Sequence, residues 1–287
     1  MTRFRIDRLL CLAVFAPLAR HLPSRSPRIP ILMYHSISGE ENSATREKHP
    51  YYATTTSPSV FRRQMGILKE HGYETISLGE AAGLLKKKRK VVRPAVVITF
   101  DDGFRDFYDE AVPVLRHYGF SATMFLPTGY MSDSGETFLG RKMLTWGQVR
   151  ELQKAGMRFG SHSVTHGKLV RLNRRRLLKE LTISRREIED HTGVETRSFS
   201  YPYALPDQHR TFISRLEGLL RQAGYRQGVS TRIGVATSRD PVYFFKRIPV
   251  NRWDDDLFFI SKLRGGYDWV YGIQRTYKNA KGVFEGA

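Results

Sequence analysis

From Pro30 onward the chain alternates short apolar runs with stretches in which apolar residues recur every three to four positions. Ile31-Leu-Met-Tyr34 reads as a buried strand. A polar stretch, Ser38 to Thr56, is long enough to be a functional loop. Ser57-Pro58 then has the form of an N-cap with Pro at the first helical position, Phe61, Met65 and Leu68 keep helical spacing, and Gly72 ends the helix. Tyr73–Ser77 alternates like a strand and Leu78–Lys87 is helical. Ala95-Val-Val-Ile-Thr-Phe100 is the strongest strand, a continuous run of the kind buried on both faces.

The same alternation predicts helices over Phe104–Tyr118, Thr145–Ala155, Asn173–His191 and Thr211–Ala223. Between and after them it predicts strands over Phe120–Leu126, Met157–Gly160, Ser198–Tyr201 and Tyr225–Ser230. Repeated strand–helix units imply a parallel sheet with helices outside it, and six or seven units favour closure into a barrel. No repeat or low-complexity linker splits the chain, so residues 28–287 read as one α/β domain. Residues 1–27 stand apart. Arg3, Arg5 and Arg8 precede an apolar stretch from Leu9 to Ala19, the layout of a secretory signal, with weak cleavage candidates at Ala16 and Ala19. The expectation is a signal-like or membrane-proximal segment and a place in the cell envelope, exported or membrane-associated. The competing expectations are a short amphipathic helix covering the domain and a cytoplasmic protein.

Composition narrows the classes. Apolar residues make up 40% and aromatics 12% of the 287 residues, which excludes a disordered tail or a collagen-like fibre. No apolar run approaches the roughly 18 residues of a spanning helix. A single cysteine, Cys11, excludes a disulfide framework and a Cys-rich zinc module. Lys and Arg number 47 against 28 Asp and Glu, a formal charge of +19, which raises nucleic acid, an anionic membrane and an anionic polymer as partners. The basic residues concentrate on helices: Lys86–Lys90 ends one, and Arg174–Arg186 forms the outer face of another whose Leu177, Leu181 and Ile188 face inward. No nucleic-acid-binding signature accompanies them, so no nucleic acid is expected. A nucleotide-binding loop and a Gly-x-Ser-x-Gly nucleophile are absent from the sequence.

In a parallel barrel, chemistry belongs at the carboxyl ends of strands. Three strand ends carry it here: Asp101-Asp102-Gly103, His162-Ser-Val-Thr-His166, and His35. Adjacent carboxylates past a buried strand repel unless one binds a cation. His162 and His166 stand four apart, a spacing that aligns two imidazoles on a helical turn. One Asp and two His make a three-ligand set with an open position, which fits a catalytic metal better than a structural one. Singly, each has a plainer reading: a turn or N-cap, a helix surface, a core histidine. Their joint occurrence after predicted strands favours the site.

Thr99-Phe-Asp-Asp-Gly103 and His162-Ser-Val-Thr-His166 resemble the first two motifs of the polysaccharide deacetylases, the NodB-homology group or carbohydrate esterase family four, and Phe199-Ser-Tyr-Pro-Tyr203 resembles a variant third motif. The resemblance spans about Ile31 to Val250. It implies a distorted (β/α) barrel of about seven strands and metal-dependent removal of N-acetyl groups from a polymeric amino sugar. By motif, Asp102, His162 and His166 would hold a divalent metal, zinc first and cobalt or nickel as alternatives. Asp101 would be the general base, and backbone N–H near Pro202 and Tyr203 would meet the oxyanion. The general acid often follows a strand near the C-terminus, but His191 and His209 follow no apolar run. His35 fits better, as in the circularly permuted subgroup that includes poly-N-acetylglucosamine deacetylases. The Arg that often precedes the third motif's Pro is missing, position 201 being Tyr. Arg247 either supplies that charge beside Asp101 or is a surface residue at a strand end.

The expected substrate is an N-acetylglucosamine-containing polysaccharide, with peptidoglycan sugars or O-acetylated xylan as alternatives. A basic nucleic-acid-binding protein is the competing class. Trp146, Trp253 and Trp269 are either sugar-stacking faces or core. Asp254–Asp256 is either a second cation site or a helix start.

Overall fold

A run such as Ala95–Phe100 has no polar face to show to water, so it needs neighbours on both edges and cover on both sides. The computed structural model satisfies this with a closed barrel. It describes residues 6–17, 27–39, 55–89 and 92–276. In chain order the elements are α1 (Ile6–Leu10, continuing as a π-helical turn Cys11–Phe15), β1 (Arg28–Ile29), β2 (Ile31–Tyr34), α2 (Pro58–Glu70), β3 (Glu74–Thr75), α3 (Leu78–Lys86) and β4 (Ala95–Phe100). Next come α4 (Val112–Tyr118, preceded by a π-helical turn Phe107–Ala111), β5 (Thr123–Leu126), β6 (Thr137–Phe138), β7 (Arg141–Lys142), α5 (Trp146–Lys154) and β8 (Arg158–Ser161). The chain continues with α6 (Arg174–Thr192), β9 (Ser198–Ser200), α7 (Arg210–Gln222), β10 (Gln227–Ile233), β11 (Ala236–Thr237), β12 (Phe245–Pro249) and α8 (Asp256–Leu263).

Seven parallel strands close in the order β2-β4-β5-β8-β9-β10-β12, with β12 returning to β2 through Ile248 beside Leu32 and Pro249 beside Met33. Between β2 and β4 the register runs from Ile31 beside Val97 to Tyr34 beside Phe100, so His35 and Asp101 leave the barrel at the same level. Short β3 adds to the outer edge of β4, and β6–β7 form a hairpin.

The helices start where the local chemistry says they should. Ser57 Oγ accepts from Val60 N at 3.4 Å, with Pro58 at the first helical position. Ser77 with Glu80, and Thr145 with Gln148, form capping boxes. Asn173 caps α6 through Arg176 N at 2.9 Å. The α6 residues Leu177, Leu181 and Ile188 are buried, each contributing roughly 1.5–3 kcal/mol by removal from water. Arg174, Arg175, Arg176, Lys179 and Arg186 are exposed.

Several boundaries differ from the sequence pattern. The helix expected from Phe104 begins at Phe107, because Phe104 instead bridges to Met143 of the hairpin connection. The strand expected from Phe120 begins at Thr123. Strand β12 and helix α8 were not in the pattern, the first because Lys246 and Arg247 interrupt its apolar run. Trp146 is buried and stacks on His191 at 4.1 Å, and Asp255 caps α8 through Phe258 N at 3.1 Å. Asp254 is buried against Lys262 at 2.8 Å, so the acidic triplet is a helix start. Trp253 is 49% exposed.

The N-terminal segment is helical in its described part. Cys11 is buried, 3.0 Å from Ser261 Oγ and from Gly266 O, and Phe15 stacks on Trp269. Residues 18–26 and 40–54, which hold a cleavage candidate and most of the polar loop, lie outside the described residues. No described helix is long and apolar enough to cross a membrane.

Gly160 tests the packing. A Cβ there would stand 2.6 Å from ring atoms of Phe125 and 2.9 Å from Ser198 O. Gly160→Ala is expected to cost about 1–3 kcal/mol through overpacking, read as a lowered Tm in calorimetry.

Candidate active site

Three strand ends converge at one mouth of the barrel. Asp101 and Asp102 follow β4, His35 follows β2, and His162 follows β8. The two neighbouring aspartates diverge because Asp102 adopts φ +75° and Gly103 φ +69°, a left-handed turn that aims their carboxylates apart. Among the described residues, four of the six non-glycine positions with positive φ are Asp102, Ser163, His166 and Tyr203. Such strain persists where the surroundings over-determine it, and it concentrates at functional sites.

Asp102 faces the histidines. Its Oδ1 stands 3.5 Å from His162 Nε2 and 3.2 Å from His166 Nε2, and the three residues offer ligand atoms all within 4.8 Å of one another. Ligand atoms about 2.0–2.1 Å from a tetrahedral ion stand about 3.3–3.4 Å apart, so these spacings suit one. Both Asp102 oxygens are buried and make no hydrogen bond among the described residues, a costly state that a cation relieves. His162 Nδ1 stands 2.8 Å from Ser200 O, which makes Nδ1 the donor and leaves Nε2 its lone pair. The residues therefore fit a divalent metal. The histidines do not lie on a helical turn, as their spacing had suggested. The segment between them is a loop in which Ser163 has φ +65° and His166 φ +51°.

Asp101 is turned instead to Arg247 and Ser200. Arg247 is fully buried (0% exposed) and forks onto it, Nη1 to Oδ1 at 2.8 Å and Nη2 to Oδ2 at 2.7 Å. The same guanidinium donates to Ser230 O at 3.0 Å, Thr99 Oγ1 at 3.2 Å and Ser200 Oγ at 3.1 Å. Arg247 is thus no surface strand-end residue. It crosses the interior from β12 to β4, β9 and β10. Ser200 Oγ also donates to Asp101 at 3.1 Å. Sequence reasoning missed Ser200 and Thr99 as supports, since a serine or threonine in a strand carries no signal of its own.

The charges follow from this arrangement. Burial raises the Asp101 pKa, but Arg247 and then His162 outweigh it and bring the carboxyl down to about 2. Burial likewise acts on Asp102, and the facing His162 and His166 hold it far below the usual carboxylate range. The His35 imidazole is lowered by burial, against the pull of Asp102 and Asp101. For His162 burial is outweighed by Asp101 and Asp102, so its pKa is raised, and an ion competes there with a proton.

Tyr203, 42% exposed, sets its ring 4.7 Å from that of His166, and its carbonyl accepts from Thr231 Oγ1 at 3.2 Å. Pro202 is buried just before it. Just after His35, Ser36 and Asp106 hydrogen-bond, and Arg141 of the β6–β7 hairpin reaches Ser36, Asp106 at 3.4 Å and Thr55 at 3.2 Å. This cluster joins the segment after His35 to the hairpin, and nothing in the sequence pattern marked it.

Residues 88–227 match the polysaccharide deacetylase family. Over those residues, about half of its length, the chain carries a polysaccharide deacetylase domain. The chain is 29% identical over 224 residues to YxkH of Bacillus subtilis, an alignment covering 78% of this chain and 72% of the relative. It is 27% identical over 215 residues to the poly-β-1,6-N-acetyl-D-glucosamine N-deacetylase of Staphylococcus aureus, covering 71% and 69% respectively. Among solved structures, the Streptococcus pyogenes deacetylase PplD in complex with acetate superposes with a TM-score of 0.73 at 25% identity, over 83% of this chain and 99% of that one. IcaB from Ammonifex degensii superposes with a TM-score of 0.67 at 22% identity, over 83% and 97%, a likeness of fold. The closed barrel of parallel strands is that of the NodB-type deacetylases.

Two outcomes are expected from the site's buried charges. Arg247→Met leaves the Asp101 carboxylate buried without its partner and is expected to cost about 3–5 kcal/mol in denaturant unfolding. Burial, against Ser36 and Arg141, pushes the Asp106 carboxyl up from 3.8 to about 6. The fold therefore favours its neutral form, a contribution complete below pH 3.8 and lost as pH rises through about 6. Asp106→Asn is expected to match the wild-type Tm near pH 4 and to exceed it increasingly toward pH 7.

Proposed function

We propose that the protein is a metal-dependent de-N-acetylase of an N-acetylglucosamine-containing polysaccharide, working in the cell envelope. The convergence of Asp102, His162 and His166 beside the Arg247-bound Asp101 carries this reading. The S. aureus relative, by its name, acts on poly-β-1,6-N-acetyl-D-glucosamine, which supports the choice of polymer. The basic exposed face of α6 offers attraction to an anionic polymer or membrane surface.

In this reading Asp102 Oδ1 and the Nε2 atoms of His162 and His166 hold the ion, zinc first and cobalt or nickel as alternatives. When bound, such an ion polarises an acetamide carbonyl and acidifies a water. Asp101 takes the proton that the water loses as its oxygen adds to the carbonyl carbon. Arg247 orients that carboxylate through two parallel bonds and keeps it ionised. The backbone N–H at Tyr203 meets the developing oxyanion, with Pro202 fixing the approach of the chain. His35, inside the field of Asp101, Asp102, Arg247 and His162, protonates the amine as the C–N bond breaks. Acetate and the free amino sugar leave.

The test is acetate release from N-acetylglucosamine oligomers, peptidoglycan fragments and acetylated xylan, with and without chelator. Release from the first substrate, abolished by chelator and restored by Zn²⁺ or Co²⁺, is the expected result. Asp101→Asn should keep the metal and lose about 10²–10⁴-fold in turnover, as should His35→Ala, whereas His162→Ala should lose metal and turnover together. Full activity in both Asp101→Asn and His162→Ala would overturn the assignment.

A further inference from the structure

The loop between the two histidines is held by four groups of bonds, and one of them comes from a residue with no evident part in the chemistry. Thr128 N donates to Ser163 O at 3.1 Å and Gly129 N to Val164 O at 2.9 Å, which fixes the loop's carbonyls from one side. A Cβ on Gly129 would stand 2.8 Å from Val164 O, so the approach is as close as glycine allows. Within the loop, Ser163 N donates to Ser161 Oγ and His166 N to Ser163 Oγ, both at 3.1 Å. Tyr130 Oη reaches Thr165 O at 3.4 Å. The remaining N–H groups, those of Val164 and Thr165, both go to Glu180 Oε2, at 2.9 and 3.0 Å, and Thr165 Oγ1 donates to Glu180 Oε1 at 2.8 Å.

Glu180 belongs to α6, whose other contacts make it a firm support. One turn further along the same face, Ser184 Oγ lies 2.7 Å from Ser161 Oγ, on the residue just before His162. Leu177, Leu181 and Ile188 seat the helix on the barrel. Thus α6 grips the strand end through Ser184 and the loop through Glu180. The loop needs such a grip, because left-handed conformations at non-glycine residues cost of order 1–3 kcal/mol each and Ser163 and His166 both adopt them. Water can satisfy the N–H groups of Val164 and Thr165, but it cannot hold them in place.

We propose that Glu180 is a positioning residue for the metal: its carboxylate clamps the Val164–Thr165 backbone and so sets the separation of the His162 and His166 imidazoles. This rests on the reading of Asp102, His162 and His166 as metal ligands. Groups that orient ligands from behind typically carry a 10–100-fold share of metal affinity.

The test is metal titration of the chelator-stripped full chain, with no substrate present. Zn²⁺ affinity is measured by competition with a chromophoric chelator, and the visible absorption of the Co²⁺ form reports ligand geometry. Glu180→Ala is expected to bind Zn²⁺ about 10–100-fold more weakly and to shift the Co²⁺ spectrum. Glu180→Gln keeps an oxygen for both N–H groups and an amide for the Thr165 hydroxyl, and should bind close to wild type. Unchanged affinity and an unchanged Co²⁺ spectrum in Glu180→Ala would overturn the proposal, as would a Gln variant as weak as the Ala variant. If Glu180→Ala does not fold, Glu180→Asp, one methylene short, should lie between wild type and a 10-fold loss, and wild-type behaviour in it would overturn the proposal. A wild-type chain that binds no metal would overturn the ligand reading instead and remove the ground on which the proposal stands.

Discussion

The pair between Arg247 and Asp101 is the constraint around which the barrel interior is arranged. Both groups are buried, at 0% and 2% exposure, so each would be intolerable without the other. Arg247 fills its remaining donors with Ser230 O, Thr99 Oγ1 and Ser200 Oγ, which places polar groups on β10, β4 and β9 at matching depths. An apolar residue at 247 would pack more cheaply, but Asp101 would then be a buried carboxylate with no counter-charge. Retaining a costly ion pair here makes sense if the carboxylate must stay ionised and fixed in direction at the mouth of the barrel.

The second constraint follows from the first. Asp102 adjoins Asp101, and two carboxylates in low dielectric repel. The left-handed turn at Asp102 and Gly103 resolves this by giving each its own partners, the guanidinium on one side and the imidazoles on the other. The imidazoles in turn depend on a strained loop that Thr128, Gly129 and Glu180 hold from both sides. The site is therefore a chain of supports running from β12 through β4 to the loop after β8 and out to α6.

The basic surplus fits this layering. Most cations of α6 stand on its outer face, while Glu180 and Ser184 on the inner side touch the loop and the strand end that carry the histidines. A helix that reads as a solvated surface element with an apolar stripe also bears on the site, through one acidic side chain among its arginines.

Periodicity alone determined six of the seven barrel strands and most of the helices outside them, because a strand buried on both faces and a helix with one apolar stripe each leave a pattern that survives without context. The order of elements and the gathering of Asp101, Asp102, His35, His162 and His166 at strand ends were legible for the same reason. What only the tertiary structure decided was direction and depth. A basic residue in Phe245–Pro249 reads as exposed until closure of the barrel puts Arg247 in its interior. The His162–His166 spacing fits a helical turn as well as a loop, and only the bonds from Thr128, Gly129 and Glu180, distant in sequence, select the loop. Ser200, Thr99 and Glu180 carry no local signal, since a hydroxyl or carboxylate takes its role from the partner that folding brings to it.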